Sequence, residues 1–567
     1  MSDIRKTQIS FARKAIACPE HQFQDLYHLI CRMDWLYTAL SHVLSNGGAK
    51  TAGVDGISKA DLEKPAELTR FLETLQSDLK SGSYQPQPVK RIWIPKPGKA
   101  EERPLGIPTI RDRVVQELLR MLMEPVWESD FLNCSHGFRQ GYRTMDCIRQ
   151  IYTCCNTHSK YYWVIEGDIR KCFDKVNHKI LLRLIRRRIA DHRIVRLIDA
   201  QLKARLMEDG LFRETPEGTP QGGILSPLLA NIYLHELDMW WYRKFESLTN
   251  WQKIKRRQNG QGMAKLKRYA DDFVLLWNGT HQDALALKEE LKVFLWEELH
   301  LELSEEKTHV THIKDGFDFL GFHIQWQTPK DKKPWMRITP SESNIKRFKA
   351  KIKMLTKRGT ISMTVDWRIK TLNRIIRGWG NYYRHVSFKY DTRKLDWWIN
   401  QRVFLWIKKK HKGVGVRKLL DQYKRREKTK RFDRWNLADD DEDGKTIFLS
   451  KLSDIPLREY RSQKRQHPYL KGSDSVLQAP QHEDPFLEPK VVNVPLEKLA
   501  FLETRKRVLK RDGYRCTQCG CTNNETTLHV HHVKPVRQNG SDDAWNLVTL
   551  CIKCHVKTKS YGRYIAS

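Results

Sequence analysis

Asp168 ends the apolar run Trp163-Val164-Ile165-Glu166-Gly167-Asp168-Ile169, and Asp271 and Asp272 sit together in Arg268-Tyr269-Ala270-Asp271-Asp272-Phe273-Val274-Leu275. Burying a lone carboxylate is costly, so apolar strands rarely carry one unpaired. Two such strands laid side by side would bring Asp168 and Asp271 together as oxygen ligands for divalent cations. Hard oxygens of this kind suit magnesium, which keeps waters and takes phosphate oxygens from a substrate. Two ions clamping an attacking and a leaving oxygen is the chemistry of nucleotidyl transfer.

A second constellation lies near the C-terminus. Cys516-x-x-Cys519 and Cys551-x-x-Cys554 have the spacing of a four-thiolate zinc site, with Cys521 left as a spare. Between and after them stand Val530-His531-His532-Val533-Lys534-Pro535, Asn539-Gly540, Asn546-Leu547 and Cys554-His555. A histidine can act as a base because it titrates near working pH. A zinc ribbon that only binds nucleic acid would account for the cysteines, but not for His532 and His555 at these offsets.

These groups must be positioned by a chain of 567 residues, long enough for several domains. Up to about residue 84 it reads as helical, with a Gly-rich break at Asn46-Gly47-Gly48. Val89 to Lys96 and Arg103 to Ile107 then read as a hairpin around Pro97-Gly98-Lys99. Helical periodicity follows from Asp112 to Met123, and again from Ala284 to Leu299. Strands interleaved with helices indicate a multidomain α+β chain.

The formal net charge is +35, and the excess is concentrated: Ser341 to Arg434 holds 29 Lys and Arg against 7 Asp and Glu. That is the footprint of a polyanion-binding surface, with an anionic membrane face as the weaker alternative. The acidic stretch from Ala438 to Gly444 interrupts the region, and residues 461–495 read as a linker or extended binding segment. The start lacks the apolar core of a signal peptide, no run is long enough to span a bilayer, and the twelve cysteines favour a reducing compartment.

Together these blocks resemble the reverse transcriptases encoded by bacterial and organellar group II introns, over roughly Lys90 to Tyr460. The resemblance implies a right-hand polymerase, with mixed α/β fingers and palm and a helical thumb or maturase domain. In the hairpin Ile94-Pro95-Lys96 and Arg103-Pro104-Leu105-Gly106-Ile107-Pro108, Lys96 and Arg103 would grip the incoming triphosphate; a hairpin of solvated charges is the plain alternative. Asp168 and Asp271 would hold two magnesium ions, with Asp272 in support. Phe173 would exclude a sugar 2′-hydroxyl, or simply pack, and Asp174 would be structural. Gln221, in Gly218-Thr219-Pro220-Gln221-Gly222-Gly223, would sense the templating pair. Lys307 would protonate the leaving pyrophosphate or form a surface ion pair, and Phe319-Leu320-Gly321-Phe322 would grip the primer or simply pack.

In the basic region, Arg377, Arg384, Lys408, Lys409 and Lys410 would contact RNA, while most of the aromatics between them pack between helices. The terminal block resembles the HNH endonucleases, a small zinc-bound ββα-metal module. His532 would be the general base, His531 and His555 would bind the catalytic divalent ion, Asn546 would orient the site or contribute to the metal binding, and Cys516, Cys519, Cys551 and Cys554 would hold structural zinc.

The implied division is 1–85 as an extension of the fingers, 86–335 as fingers and palm, 336–430 as thumb, 431–495 as linker and DNA-binding region, and 496–567 as the HNH module. The implied partners are intron RNA, target DNA and deoxynucleoside triphosphates, without a membrane and with a homodimer left open. The implied location is the bacterial cytoplasm, nucleoid-associated, or an organellar matrix, without secretion. The expected function is an intron-borne protein that copies RNA into DNA, assists splicing and nicks a target strand. A defence-type reverse transcriptase and a splicing chaperone with inactive catalytic sites are the competitors.

Overall fold

The computed structural model describes residues 3–95, 102–156, 161–208, 211–213, 218, 222–328, 335–386, 389–428, 433–460, 467–470, 504, 507–522, 528–534, 541, 543–551 and 554. The chain forms two compact units, 1–480 and 481–567.

At the centre of the first unit is a four-stranded antiparallel sheet in the order Ala264–Tyr269, Asp272–Trp277, Trp163–Asp168, Val310–His312. From Phe273 to Trp277 every residue is buried, which explains an unbroken apolar run where a half-exposed strand would alternate. Gly167 leaves room for the neighbouring strand, because a Cβ there would lie 2.1 Å from the Phe273 ring. The helices Ile110–Asp130 and Ser226–Trp241 share the core with this sheet. The first extends the periodic stretch expected from Asp112 to Met123, and starts where the Thr109 side chain accepts from the Asp112 N–H. The helix His281–Leu299 starts three residues before its expected position, capped by Thr280.

The hairpin forms from Val89–Pro95 and Glu102–Ile107, with Ile94 opposite Arg103. After the helices Glu342–Leu355, Val365–Tyr383, Lys389–Lys410 and Val416–Tyr423 comes a three-stranded sheet of Lys424–Lys428, Asp433–Asp440 and Thr446–Phe448. The boundary expected between residues 430 and 431 lies outside the described residues, between two paired strands in which Lys428 is opposite Asp433. Leu437, Leu449 and Leu452 share one core with Ile376 and Trp406. Its acidic composition hides three buried leucines. Residues 467–470, expected in a linker, are seated on the N-terminal part of the unit: Tyr469 Oη donates to Glu124 at 2.9 Å and Arg5 donates to the Pro468 carbonyl at 2.8 Å.

One buried ion pair ties the sheet to the helix Ser226–Trp241. Arg268 and Asp238 both have side-chain exposures of 0%. Arg268 Nε donates to Asp238 Oδ1 at 2.8 Å and Nη2 to Oδ2 at 2.5 Å, while its remaining donors reach Asn231 Oδ1, Ser135 Oγ and the Ala270 carbonyl. The segment Cys134–Gly137 lies along the same strand: Arg268 N–H donates to Cys134 O, and His136 N–H to Arg268 O. His136 is 1% exposed, and burial beside Lys267 and Arg139 lowers its pKa to about 3.

Two outcomes follow from these buried groups. Arg268→Met strands an unpaired Asp238 carboxylate and lowers stability in urea unfolding by roughly 3–5 kcal/mol, and adding Asp238→Leu recovers most of the loss. Because His136 stays neutral when folded but takes a proton near pH 6.5 when unfolded, stability falls as the pH drops from about 6.5 toward 3, by up to about 1.4 kcal/mol per pH unit. The acid limb of a stability–pH curve is shallower over that window for His136→Asn.

Candidate catalytic and metal centres

The strand register sets Asp168 directly opposite Asp272, and Tyr269 opposite Asp272 across the adjoining turn. Ala270 in that turn has φ +60°, an uncommon value for a residue with a Cβ. Arg268 holds the conformation by donating to the Ala270 carbonyl at 2.9 Å. From the other side Gly137 closes in: a Cβ on it would lie 2.2 Å from the Ala270 nitrogen. Asn231 Nδ2 fixes Gly137 through its carbonyl at 2.9 Å. The turn carrying Asp271 is thus held between a guanidinium and a glycine backbone.

Three carboxylates then share one place. Burial raises Asp272 to about 6, with the Asp271 and Asp168 charges adding to it. Burial raises Asp271 as well, with the Asp168 charge contributing. This is the electrostatics of an anion cluster that a cation would relieve. Lys307 Nζ, the lysine expected at either a leaving group or a surface pair, lies 2.8 Å from Asp168 Oδ2. Its segment is strapped to the same strand, since Ser304 N–H donates to the Asp168 carbonyl at 2.8 Å and Arg170 N–H to Glu302 O at 2.9 Å.

Phe173 follows Asp168 by one turn, is half-exposed, and meets the exposed Phe138 ring edge-on with 6.3 Å between centroids. It is not a core residue. Asp174 sits in the 3-10 turn Cys172–Asp174, where its backbone meets Gly218 so closely that a Cβ on the glycine would lie 2.9 Å from Asp174 O. Gly222, at φ +116°, approaches the hairpin so closely that its Cβ would lie 2.4 Å from the Gly106 carbonyl. The glycine loop, the hairpin and the Asp168 turn therefore converge. Lys96 and Gln221 lie outside the described residues, and Arg103 is placed by its strand position opposite Ile94.

In the basic region Arg377 is exposed and donates through Nε to Ser450 Oγ at 2.9 Å, and Arg384 reaches Asn381 Oδ1 at 3.3 Å. Lys408 and Lys409 are exposed, whereas Lys410 Nζ donates inward to the Ile361 carbonyl at 3.0 Å. Trp379 stacks on Phe348 at 4.5 Å between ring centroids and Tyr383 is buried, but Trp397 and Trp435 are 66% and 61% exposed.

In the second unit the strands Leu528–His532 and Leu547–Cys551 pair antiparallel, with His531 opposite Val548 and His532 opposite Leu547. Asn546, expected to orient the site or contribute to binding, braces the chain just after His532. Its Oδ1 accepts from the Lys534 N–H at 2.8 Å, and its Nδ2 donates to the carbonyls of Lys534 and Ser541. His555 lies outside the described residues. The sulfurs of Cys516, Cys519, Cys521 and Cys551 all lie within 4.8 Å of one another, so Cys521, expected to be a spare, belongs to the cluster. Cys554 is buried beside them and donates its N–H to Cys551 Sγ at 3.4 Å. Burial opposes ionisation of Cys516, yet backbone donors bring it down to about 6, while Cys519 raises Cys521 to about 12. Thiols crowded this closely divide into easily and reluctantly ionised members, the donor chemistry of a soft-cation site.

Sequence reasoning misses Asp238, Asn231 and Ser135, which position the Asp271 turn. One signal was available: an acid in the otherwise apolar stretch Leu237-Asp238-Met239-Trp240-Trp241.

Residues 94–324 match the reverse transcriptase (RNA-dependent DNA polymerase) family, residues 345–427 the maturase-specific domain of group II introns, and residues 516–560 the HNH endonucleases. Protein YkfC of Escherichia coli (strain K12) is 40% identical over 340 residues, covering 57% of this chain and 88% of that protein. The group II intron-encoded protein LtrA of Lactococcus lactis subsp. cremoris is 29% identical over 617 aligned positions, covering 94% of this chain and 95% of that protein. The mitochondrial nuclear intron maturase 1 of Arabidopsis thaliana is 24% identical over 291 residues, covering 38% of this chain and 40% of that protein. Among the described residues no helix is long and apolar enough to cross a membrane. With an opposed carboxylate cluster, a basic helical region and a cysteine-bound terminal unit in one order, the chain belongs to the group II intron-encoded proteins, which combine a reverse transcriptase, a maturase and an HNH endonuclease.

Proposed function

We propose that Asp168, Asp271 and Asp272 form the nucleotidyl-transfer centre of this reverse transcriptase. The observation that carries the reading is the pairing of Asp168 with Asp272 across neighbouring strands. Desolvation, with the Asp271 and Asp168 charges adding to it, raises Asp272 to about 6, and three carboxylates gathered at one edge suit divalent cations. Magnesium, when bound, supplies charge stabilisation for the phosphoryl group in transfer. Arg268 keeps the Asp271 turn in place, and the Lys307 ammonium, 2.8 Å from Asp168, carries the proton that a departing pyrophosphate takes up. The half-exposed Phe173 ring crowds a sugar 2′-hydroxyl and so favours deoxynucleotides. Lys96 and Arg103 of the hairpin hold the triphosphate, and Gln221 lies at the templating pair.

In this reading the hairpin and its surroundings are the fingers, the four-stranded sheet is the palm, and residues 336–455 are the thumb and maturase region. That last span restores the sheet which a boundary at 430 would divide. Arg377, Arg384, Lys408 and Lys409 face intron RNA, whereas the inward hydrogen bond of Lys410 makes it a structural lysine. In the terminal unit His532 deprotonates water, His531 and His555 bind the nuclease ion, and Asn546 orients the loop. Cys516, Cys519 and Cys551 hold zinc with either Cys521 or Cys554. The RNA inserts into one strand of a target duplex, the nuclease cuts the other, and the freed 3′-hydroxyl primes copying.

Incubating the purified protein with its intron RNA and target duplex, alongside a separate primed template, separates these roles. Asp271→Ala loses nucleotide incorporation but keeps splicing and nicking; His532→Ala loses nicking and still extends the primed template. A folded Asp271→Ala protein that no longer splices would show the assignment of roles to be wrong. A strong chelator followed by dialysis into magnesium removes zinc, unfolds the terminal unit and abolishes nicking, while primed-template extension persists. Zinc content in Cys521→Ser and Cys554→Ser then identifies the fourth thiolate, which is the variant that loses the ion.

A further inference from the structure

The helix Asn250–Gln258 buries none of its residues. A helix of nine residues is marginal without a packed face, so it needs another source of order. The Thr249 capping box closes its start, Lys253 Nζ donates to Glu246 O at 2.9 Å, and Arg256 donates to Gly262 O at 3.2 Å beneath its end. The Arg256 guanidinium also lies 5.5 Å from the centre of the Phe245 ring. Lys253 and Arg256 thus hold the helix from below and leave a different face outward.

That outward face has an unusual composition. Trp251, Ile254, Lys255 and Gln258 have the spacing of one helical stripe. Trp251 is 66% exposed and Ile254 50%. The Lys255 ammonium stands 5.0 Å from the centre of the Trp251 indole, and Arg257 projects beside the stripe, exposed. From Thr249 to Gln261 there are four cations and no acid. Large apolar side chains left in water on a rigid, wholly cationic support are suited to stacking on an unpaired base while Lys255 and Arg257 take the flanking phosphates. Two apolar residues are too few to hold a helix in a lipid interface, which needs a broad apolar face.

We infer that this helix is a second RNA-docking surface, lying outside the maturase-specific region and engaging an unpaired stretch of the intron RNA through Trp251, Lys255 and Arg257. The inference rests on the RNA-binding reading given above and adds an RNA interaction within the reverse transcriptase region.

The test measures binding of the full-length protein to a transcript of its host intron across a range of salt concentrations, with primed-template extension as the control for an intact polymerase. Trp251→Ala weakens binding about tenfold and Trp251→Phe keeps most of it, because a phenyl ring still stacks. The pair Lys255→Gln and Arg257→Gln reduces the slope of log affinity against log salt by about 1.4, roughly 0.7 for each single-strand phosphate that is no longer neutralised. Extension is unchanged in all of them. If the variants keep wild-type affinity and salt slope while the wild type binds, this inference alone is overturned. It is also overturned if the substitutions abolish binding to phosphatidylserine vesicles and leave RNA binding untouched. If the wild type itself fails to bind the transcript, the RNA-binding reading falls too.

Discussion

The ion pair between Arg268 and Asp238 is the constraint on which the arrangement of the Asp168, Asp271 and Asp272 carboxylates depends. A charge pair with no solvent exposure on either side is a poor source of net stability, because desolvation offsets most of the attraction. What it supplies is placement. Five donors in a rigid fork allow one side chain to reach a helix carboxylate, a second helix side chain, a loop hydroxyl and the carbonyl of Ala270 at once. The strand, the helix Ser226–Trp241 and the segment around Ser135 are thereby fixed against one another. A turn with a positive φ at alanine persists because its surroundings over-determine it.

Within that frame the acids are deliberately ill at ease. Asp271 and Asp272 are both held above the usual carboxylate range by burial and by neighbouring negative charge. Lys307 leans onto Asp168 as a local counter-charge. The ammonium sits on a flexible stem while the guanidinium is fully buried, so the two cations serve different purposes: one anchors the backbone and the other offsets the Asp168 charge.

How much of this is legible in the sequence depends on whether a residue announces itself against its local background. An acid at the end of an apolar strand does so, and that signal suggests that the strand ending at Asp168 and the one beginning at Asp272 lie side by side. The hairpin and the long helices follow from periodicity and turn residues. Partners chosen across the chain do not show. Asp238 becomes visible as a ligand of Arg268 only through a bond between residues thirty positions apart. For Asn546 the resemblance leaves open whether it orients the site or contributes to binding, and the backbone groups that its amide faces are not visible in any spacing. Cys521 looks surplus to two regular pairs and is drawn in by the fold of the loop. The sheet from Lys424 to Phe448 is concealed by charge, since short strands with polar outer faces resemble a linker in composition. Tyr469 is hidden for the same reason, one buried ring in a polar tract.

The close approach of Gly167 and Phe273 has an evolutionary consequence. The ring lies where the side chain of a larger residue at 167 would have to stand, so one strand borrows its packing from the other. A methyl group introduced at 167 collides, and a smaller residue at 273 opens a void under the edge that carries Asp168 and Asp272. Neither position can drift independently; related chains should vary there as a matched pair or not at all.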